Sequence, residues 1–350
     1  MGVTDFDQRR NKILELIIEA YVSTASPVGS ELIARKLRST LSSATIRNIM
    51  VELERQGYVE QPHTSAGRVP TDRGYRFYVD MVMEHPRLAP EQLRELQARI
   101  QPAELDVTQL LARAGEVLSE LTQQAAFVIA PTVKQTTVKQ IELVPLSVRK
   151  ILCVLVGHEE LIASHVVEIE EPMSRDEALA LARFLNAELA GLSCAELVES
   201  LERRMLAERD AFYYLVKRSL HILQDALSTE PNERLLLEGM SYVIAQPEFS
   251  RDPRKTHELL RGLDAEEALL ERIHEDLASE GVRVRIGREM QVPGLEECSA
   301  VTSPFAIGEE PLGGIGVLGP KRMAYPRMRS LVDAMGHAIT EVLTRWDAGL

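Results

Sequence analysis

The stretch Ser42-Ser43-Ala44-Thr45-Ile46-Arg47-Asn48-Ile49-Met50-Val51-Glu52-Leu53-Glu54-Arg55-Gln56-Gly57-Tyr58-Val59-Glu60-Gln61 decides how the first eighty residues fold. Ile46, Ile49, Met50 and Leu53 recur at the spacing of one apolar helix stripe. Ser42 or Ser43 offers a side-chain oxygen to the free N–H groups of the first turn, and Gly57 closes the helix. At about 100° per residue the opposite face collects Ala44, Arg47, Asn48, Val51 and Arg55. From Tyr58 to Gln61 the pattern changes to that of a short strand.

Working outward, Arg9 to Tyr21 places Ile13, Leu16, Ile17 and Ala20 at helical spacing. Pro27 begins a second unit, Ser30 is a cap for a helix carrying Leu32, Ile33 and Leu37, and Arg38 to Ser42 is a turn. Downstream, Pro62 to Gly67 reads as a loop and Arg68-Val69 as a returning strand. Thr71 or Asp72 then opens a helix with Tyr75, Tyr78, Val79 and Val82 on one face, and Pro86 and Pro90 mark a boundary. Helix, turn, helix, strand, loop, strand is the order of a winged helix.

Beyond the boundary, Glu91 to Gln124 is helical in pattern, most clearly at Val107, Leu110, Leu111, Ala114, Val117, Leu118 and Leu121. Strands are expected at Ala126–Ala130, Val138–Val144, Val148–Val156 and Leu161–Ile169, with short connections that favour antiparallel pairing. Met173 to Glu280 reads as helices with breaks at Pro231, Pro247 and Pro253. Strand candidates return at Val282–Ile286, Ser299–Phe305 and Leu312–Leu318, before a last helix from Arg327 to Trp346. Sheet-forming sequence interrupted by largely helical residues implies an insertion into one α+β domain.

Composition narrows the function classes. With 45% hydrophobic and 27% charged residues over 350, the chain is not disordered as a whole. The longest uncharged apolar candidate, Ile151 to Val156, is far short of the ~20 residues that cross a bilayer, and Met1 to Arg10 lacks the apolar core of a signal peptide. Cys153, Cys194 and Cys298 show no CxxC spacing, which fits reduced thiols in a cytoplasm, and eight scattered histidines form no metal-binding pattern. The net charge of −13 argues against a nucleic-acid partner, but it is unevenly spread. Residues 1–80 carry eleven Lys/Arg against ten Asp/Glu, so the acidity belongs to the rest of the chain.

The polar face of the helix at Ser43–Arg55 has the chemistry of a groove reader. Arg suits guanine or phosphate, Asn suits adenine, and a small aliphatic side chain suits the thymine methyl. Arg47, Asn48, Val51 and Arg55 are therefore candidate groove contacts, with Ser43 and Thr45 near phosphates. The loop Pro62 to Arg68 presents His63 and Arg68 for phosphate or minor-groove contact. The plainer alternatives are a solvated helix face and an ordinary glycine-containing hairpin.

Three runs carry a resemblance: Ser43-Ala44-Thr45-Ile46-Arg47-Asn48-Ile49-Met50 through Leu53-Glu54, then Gln61-Pro62-His63-Thr64-Ser65-Ala66-Gly67-Arg68-Val69-Pro70-Thr71, then Arg73-Gly74-Tyr75-Arg76-Phe77-Tyr78-Val79-Asp80. They resemble the HrcA family of heat-inducible bacterial repressors. Gly239 to Phe249, and Gly313 to Pro320 with Met323 and Tyr325, are similar to the same family. The resemblance spans essentially the whole chain and is loosest over 85–125 and 170–235. It implies an α+β multidomain protein: a winged helix-turn-helix head at 1–86, connecting helices at 87–125, a GAF-like antiparallel-sheet domain at 126–192 and 263–350, and a dimerisation segment inserted at 193–262. The residues read that insertion as almost wholly helical, whereas the family's contains some strand. The resemblance further implies a cytoplasmic homodimer, with no membrane partner, that binds double-stranded DNA at the CIRCE inverted repeat. It also implies maintenance by the GroEL chaperonin and loss of activity on heating.

Competing signals point elsewhere. Gly314-x-Gly316-x-x-Gly319 matches a dinucleotide-binding pattern, but it lies inside a strand candidate, Pro320 blocks a helix start, and only 31 residues follow. Glycines packed closely against a helix explain it better. The carboxylates Glu168/Glu170/Glu171, Glu296/Glu297 and Glu309/Glu310 read as solvated, and His63, His158 and His165 have no catalytic partners at recognisable spacing. No catalytic residue, cofactor or metal is expected. Two rivals remain: a metabolite-responsive repressor with a GAF-type effector site, and a nucleotide-dependent enzyme.

Overall fold

In the computed structural model, which describes residues 5–38, 41–64, 66–83, 88–100, 107–130, 137–157, 162–169, 171–189, 192–207, 211–229, 234–279, 281–307 and 310–347, the periodicities of the first eighty residues close on a common core. Helices α1 (Asp5–Thr24), α2 (Ser30–Lys36) and α3 (Ser43–Arg55) are followed by the two-residue strands β1 (Val59–Glu60) and β2 (Val69–Pro70), paired antiparallel. Ile13, Ile17, Ile33, Ile46, Leu53, Val59 and Tyr75 are all buried together. Each such side chain removed from water contributes about 1.5–3 kcal/mol, enough to hold α2 and α3, which are too short to persist alone. Helix α4 (Asp72–Phe77) ends as a wider π turn over Tyr78–Val82, not as the single regular helix expected there. The helical pattern of 91–124 is two helices, α5 (Pro90–Ile100) and α6 (Val107–Thr122).

Five strands form the central antiparallel sheet, in the order β7-β3-β10-β9-β8. They are β3 (Ala125–Ala130), β7 (Arg234–Glu238), β8 (Arg283–Ile286), β9 (Cys298–Ile307) and β10 (Glu310–Pro320). Every residue of β3 is buried, and its alternation sorts them onto two faces. Ala126, Val128 and Ala130 join the core of α6 and the last helix, α14 (Tyr325–Asp347). Ala125, Phe127 and Ile129 face a second core with Val243, Phe249, Leu259, Leu269 and Ile273. Those come from α10 (Met240–Ile244), α11 (Pro247–Ser250), α12 (Pro253–Asp264) and α13 (Glu266–Leu277). Pro247 and Pro253 stand in the first turns of their helices, where a missing N–H costs nothing; Pro231 lies outside the described residues.

A separate three-stranded sheet, β4-β5-β6, is built from β4 (Val138–Ser147), β5 (Lys150–Gly157) and β6 (Ile162–Glu168). It is backed by α7 (Arg175–Leu189) and α9 (Ala211–Thr229), and α8 (Cys194–Ala207) packs on α9. Ile141, Leu143, Ile151, Cys153, Leu155 and Val167 form its core with Leu181, Leu185, Val216 and Leu223. On the edge strand β4, the Asn186 amide exchanges two hydrogen bonds with the backbone of Ile141, at 2.8 and 2.7 Å.

Two expectations are corrected here. The strands of 138–168 do not share a sheet with Ala126–Ala130, so the interruption of the central sheet starts after Ala130, earlier than 193, and it contains three strands. Sequence-adjacent hairpins pair with each other first, and a half-buried alternating strand such as β4 cannot replace a neighbour of the wholly buried β3. The second is β7, which lies within the span expected to be helical. Its Leu235-Leu236-Leu237 run has no strand periodicity of its own; the state is set by pairing with β3.

Candidate nucleic-acid interface

Helix α3 is capped by Ser42, whose hydroxyl accepts the Thr45 N–H at 3.1 Å and lies 2.8 Å from the Thr45 hydroxyl. This cap satisfies one free donor and leaves other N–H groups of the turn pointing outward, where helix polarity favours phosphate. Ile46, Ile49, Met50 and Leu53 are buried as expected. The opposite face presents Ala44, Thr45, Arg47, Asn48, Val51 and Arg55 to solvent, with Val51 50% exposed. The Arg47 and Asn48 side chains make no hydrogen bond or ion pair among the described residues, so neither must break one to reach a ligand.

The remaining site candidates are placed differently. Arg55 is exposed but held 2.9 Å from Glu52, whose carboxyl this hydrogen bond holds below its usual range. The Ser43 hydroxyl is 3.0 Å from that of Ser30 and joins the starts of α2 and α3. Arg68 turns inward: only 14% of its side chain is exposed, and it pairs with Glu54 at 2.8 Å. The sequence placed it at a loop tip, but it ties the base of the hairpin to α3.

That hairpin is pinned on its other side. Val28 and Arg68 exchange two backbone hydrogen bonds of 2.9 Å, and a Cβ on Gly67 would stand 2.4 Å from the Val28 carbonyl carbon. Only glycine permits that approach. Gln61 donates to the carbonyls of Thr64 and Ala66, at 3.0 and 2.9 Å, shaping a loop with His63 exposed. Ser65 lies outside the described residues. Arg35 and Arg38, on α2 and the turn leading to α3, are also exposed. Their charge was visible in the sequence, but it carried no role because no motif singles them out. The arrangement offers a rigid helix with hydrogen-bonding, cationic and apolar groups in one row, beside a hairpin loop.

The competing signals resolve into packing and surface pairs. Gly314, Gly316 and Gly319 lie in β10; a Cβ on Gly316 would stand 2.3 Å from the Phe127 ring and 2.5 Å from the Val301 carbonyl oxygen. Glu297 pairs with Lys255 and Lys321, and Glu168 with Lys150; Glu170, Glu309 and His158 lie outside the described residues. The three cysteines are buried and form no disulfide. Among the described residues no cluster of His, Cys, Asp and Glu is arranged to hold a metal, and no helix is long and apolar enough to cross a membrane.

Comparison with known proteins gives a consistent result. Residues 108–328 match the family described as HrcA protein C terminal domain. The heat-inducible transcription repressor HrcA of Pelotomaculum thermopropionicum is 35% identical over 339 residues, covering 97% of either chain. That of Symbiobacterium thermophilum is 36% identical over 336 residues, covering 96% of this chain and 98% of its own. A crystal structure described only as a hypothetical protein superposes with a TM-score of 0.60 at 24% identity, over 98% of this chain and 99% of that one, and so shares the fold.

Proposed function

The chain belongs to the HrcA family of heat-inducible transcription repressors, whose members are not enzymes, and from that premise we propose that it is a winged-helix repressor reading the CIRCE inverted repeat upstream of chaperone operons as a homodimer. The observation that carries this reading is the row Thr45, Arg47, Asn48 and Val51, displayed on α3 opposite its buried stripe. Arg47, Asn48 and Val51 contact base edges, Thr45 and the helix start contact phosphate, and His63 contacts the backbone from the wing. Arg55 joins them by exchanging Glu52 for phosphate. Ser43 and Arg68 act by positioning α3. The test is binding of the full-length protein to a CIRCE duplex and to a scrambled duplex at the same salt. A preference of about a thousandfold or more is expected, and equal affinity for both would refute the reading.

An inverted repeat needs two heads related by two-fold symmetry. Most apolar residues of the head are buried in a core it shares with α6 and α14, and Val51 and Met81 stay exposed singly, whereas the outer face of β4–β6 leaves Val144, Ile162 and Val166 exposed. We assign the homodimer to that face, and the five-stranded sheet with its helices to the GAF-like domain. The inner face of that domain is filled by Phe127, Phe249, Leu259 and Ile273, which gives the effector-site alternative no support there.

Heat enters through the folded population. A margin of about 5–15 kcal/mol between large opposing terms is lost over a narrow temperature range. Dissociated or partly unfolded chains expose the β4–β6 face, an apolar surface of the kind the GroEL chaperonin captures. Operator occupancy and near-UV circular dichroism should then fall together on heating in a cytoplasm-like buffer, and chaperonin with ATP should restore both. Occupancy lost from a fully folded protein would point to a different switch.

A further inference from the structure

The head is fastened to the rest of the molecule by a set of charged side chains. Arg322, in the turn after β10 and 13% exposed, donates to Glu248 at 2.5 Å, to Gln246 at 2.9 Å, and to the carbonyl of Val22 at the end of α1 at 2.7 Å. Its neighbour Lys321 lies 3.0 Å from Asp72 and 3.4 Å from Glu297. From the head side, Arg76 of α4 donates to Glu289 at 2.9 Å and to the Val284 carbonyl at 2.5 Å. Asp72 also accepts the Arg288 N–H at 3.2 Å, and the rings of Tyr75 and Tyr325 meet at 5.7 Å.

Domains joined within a chain ordinarily move relative to one another. An apolar contact resists separation but tolerates sliding, because it has no direction. Forked guanidinium hydrogen bonds fix angle as well as distance, and a half-buried charge that loses its partner is left uncompensated. The fork of Arg76 on Glu289, the Lys321–Asp72 pair and the bond from Arg322, itself anchored on Glu248 and Gln246 of the body, to the Val22 carbonyl of the head therefore hold the head in one orientation. In a dimer formed elsewhere on the chain, that orientation fixes the separation and relative rotation of the two copies of α3.

We propose that Arg76, Lys321 and Arg322 form a rigid joint that sets the half-site separation the repressor accepts. This rests on the reading of the protein as a dimeric DNA-binding repressor. Lengthening or shortening a palindrome by two base pairs moves one half-site by about 7 Å and turns it by about 70°. A rigid pair of heads cannot follow that change; a loosened pair can.

The experiment compares full-length wild type with Arg76→Met/Arg322→Met, both confirmed folded by circular dichroism, on the CIRCE repeat, on the same repeat with its spacer changed by two base pairs, and on an isolated half-site. Wild type should lose about thirtyfold or more on the altered spacers, and the variant about threefold or less, with half-site affinities within about twofold of one another. Spin labels at Thr64→Cys and Arg254→Cys, in chains diluted with unlabelled protein, read the head orientation without DNA. Their distance distribution should be narrow in wild type and broad in the variant. An unchanged spacing penalty or an unchanged distribution would overturn the joint. A wild type indifferent to the CIRCE repeat would remove the DNA reading and the spacing role together, while the labels would still report whether the joint clamps the head.

Discussion

The two sheets of this protein solve the same problem differently. In the five-stranded sheet both faces are covered, by α6 and α14 on one side and α10–α13 on the other, and β3 is buried at every position. In the three-stranded sheet one face is covered by α7 and α9, while the other shows Val144 at 45%, Ile162 at 66% and Val166 at 53% exposure. Val144 and Val166 both register against Leu152, so the exposed apolar groups are contiguous across all three strands. A doubly covered sheet needs nothing further to be stable in water. A half-covered one with an apolar outer face is complete only when something else packs on it.

The largest test of this contrast is Phe127→Ala, in the doubly covered sheet. It should cost about 3–5 kcal/mol of stability in urea unfolding, because the ring fills the space against Gly316 and the surrounding helices prevent collapse. Val166→Ala, on the open face, should cost less than about 0.5 kcal/mol in the dissociated chain. Comparable losses would mean that the open face is packed within the chain.

Val166→Glu sharpens the contrast by leaving folding intact and weakening self-association by about 2 kcal/mol or more, read by sedimentation equilibrium. A variant that still dimerises at wild-type concentrations would move the contact off this face.

At the head, Arg47→Ala should cost about 1–3 kcal/mol per half-site and relax preference at one base position. The palindrome should register the loss twice in wild type and once in the Val166→Glu background, where single chains bind. Equal loss on random DNA would reassign Arg47 to phosphate.

The smallest expected effect lies in the thiols, one in each sheet. Burial pushes both Cys153 and Cys298 up to about 12. An unfolded thiol loses its proton near 8.5, so between there and 12 the native state binds the extra proton and stability falls as pH rises. Cys153→Ala should flatten the alkaline slope of unfolding free energy relative to wild type, in measurements between pH 8 and pH 10 by linear extrapolation. An identical slope would mean that the thiolate is tolerated inside the half-covered unit.

Much of the head was legible because its signals are local. The stripe Ile46, Ile49, Met50 and Leu53 is buried, the cap is at Ser42, and the strands fall at Val59–Glu60, soon after Gly57, and at Val69–Pro70. The outward row Arg47, Asn48 and Val51 followed from helical geometry alone. Arg68 did not: its sequence neighbours Gly67 and Val69 say nothing of Glu54, fourteen residues earlier, which captures its guanidinium. Ser43 was likewise claimed by Ser30, thirteen residues away.

Period and capping are properties of neighbouring residues, so the sequence by itself determined where the helices of the head run, which face each buries, and that β10 is a strand despite its glycine pattern. Only the tertiary structure decided which strands share a sheet, that Leu235-Leu236-Leu237 is a strand, and that Arg76, through Glu289, and Arg322, through the Val22 carbonyl, join head to body. Those choices depend on long-range partners, whose gain appears only after a loop has closed and so leaves no periodic trace along the chain.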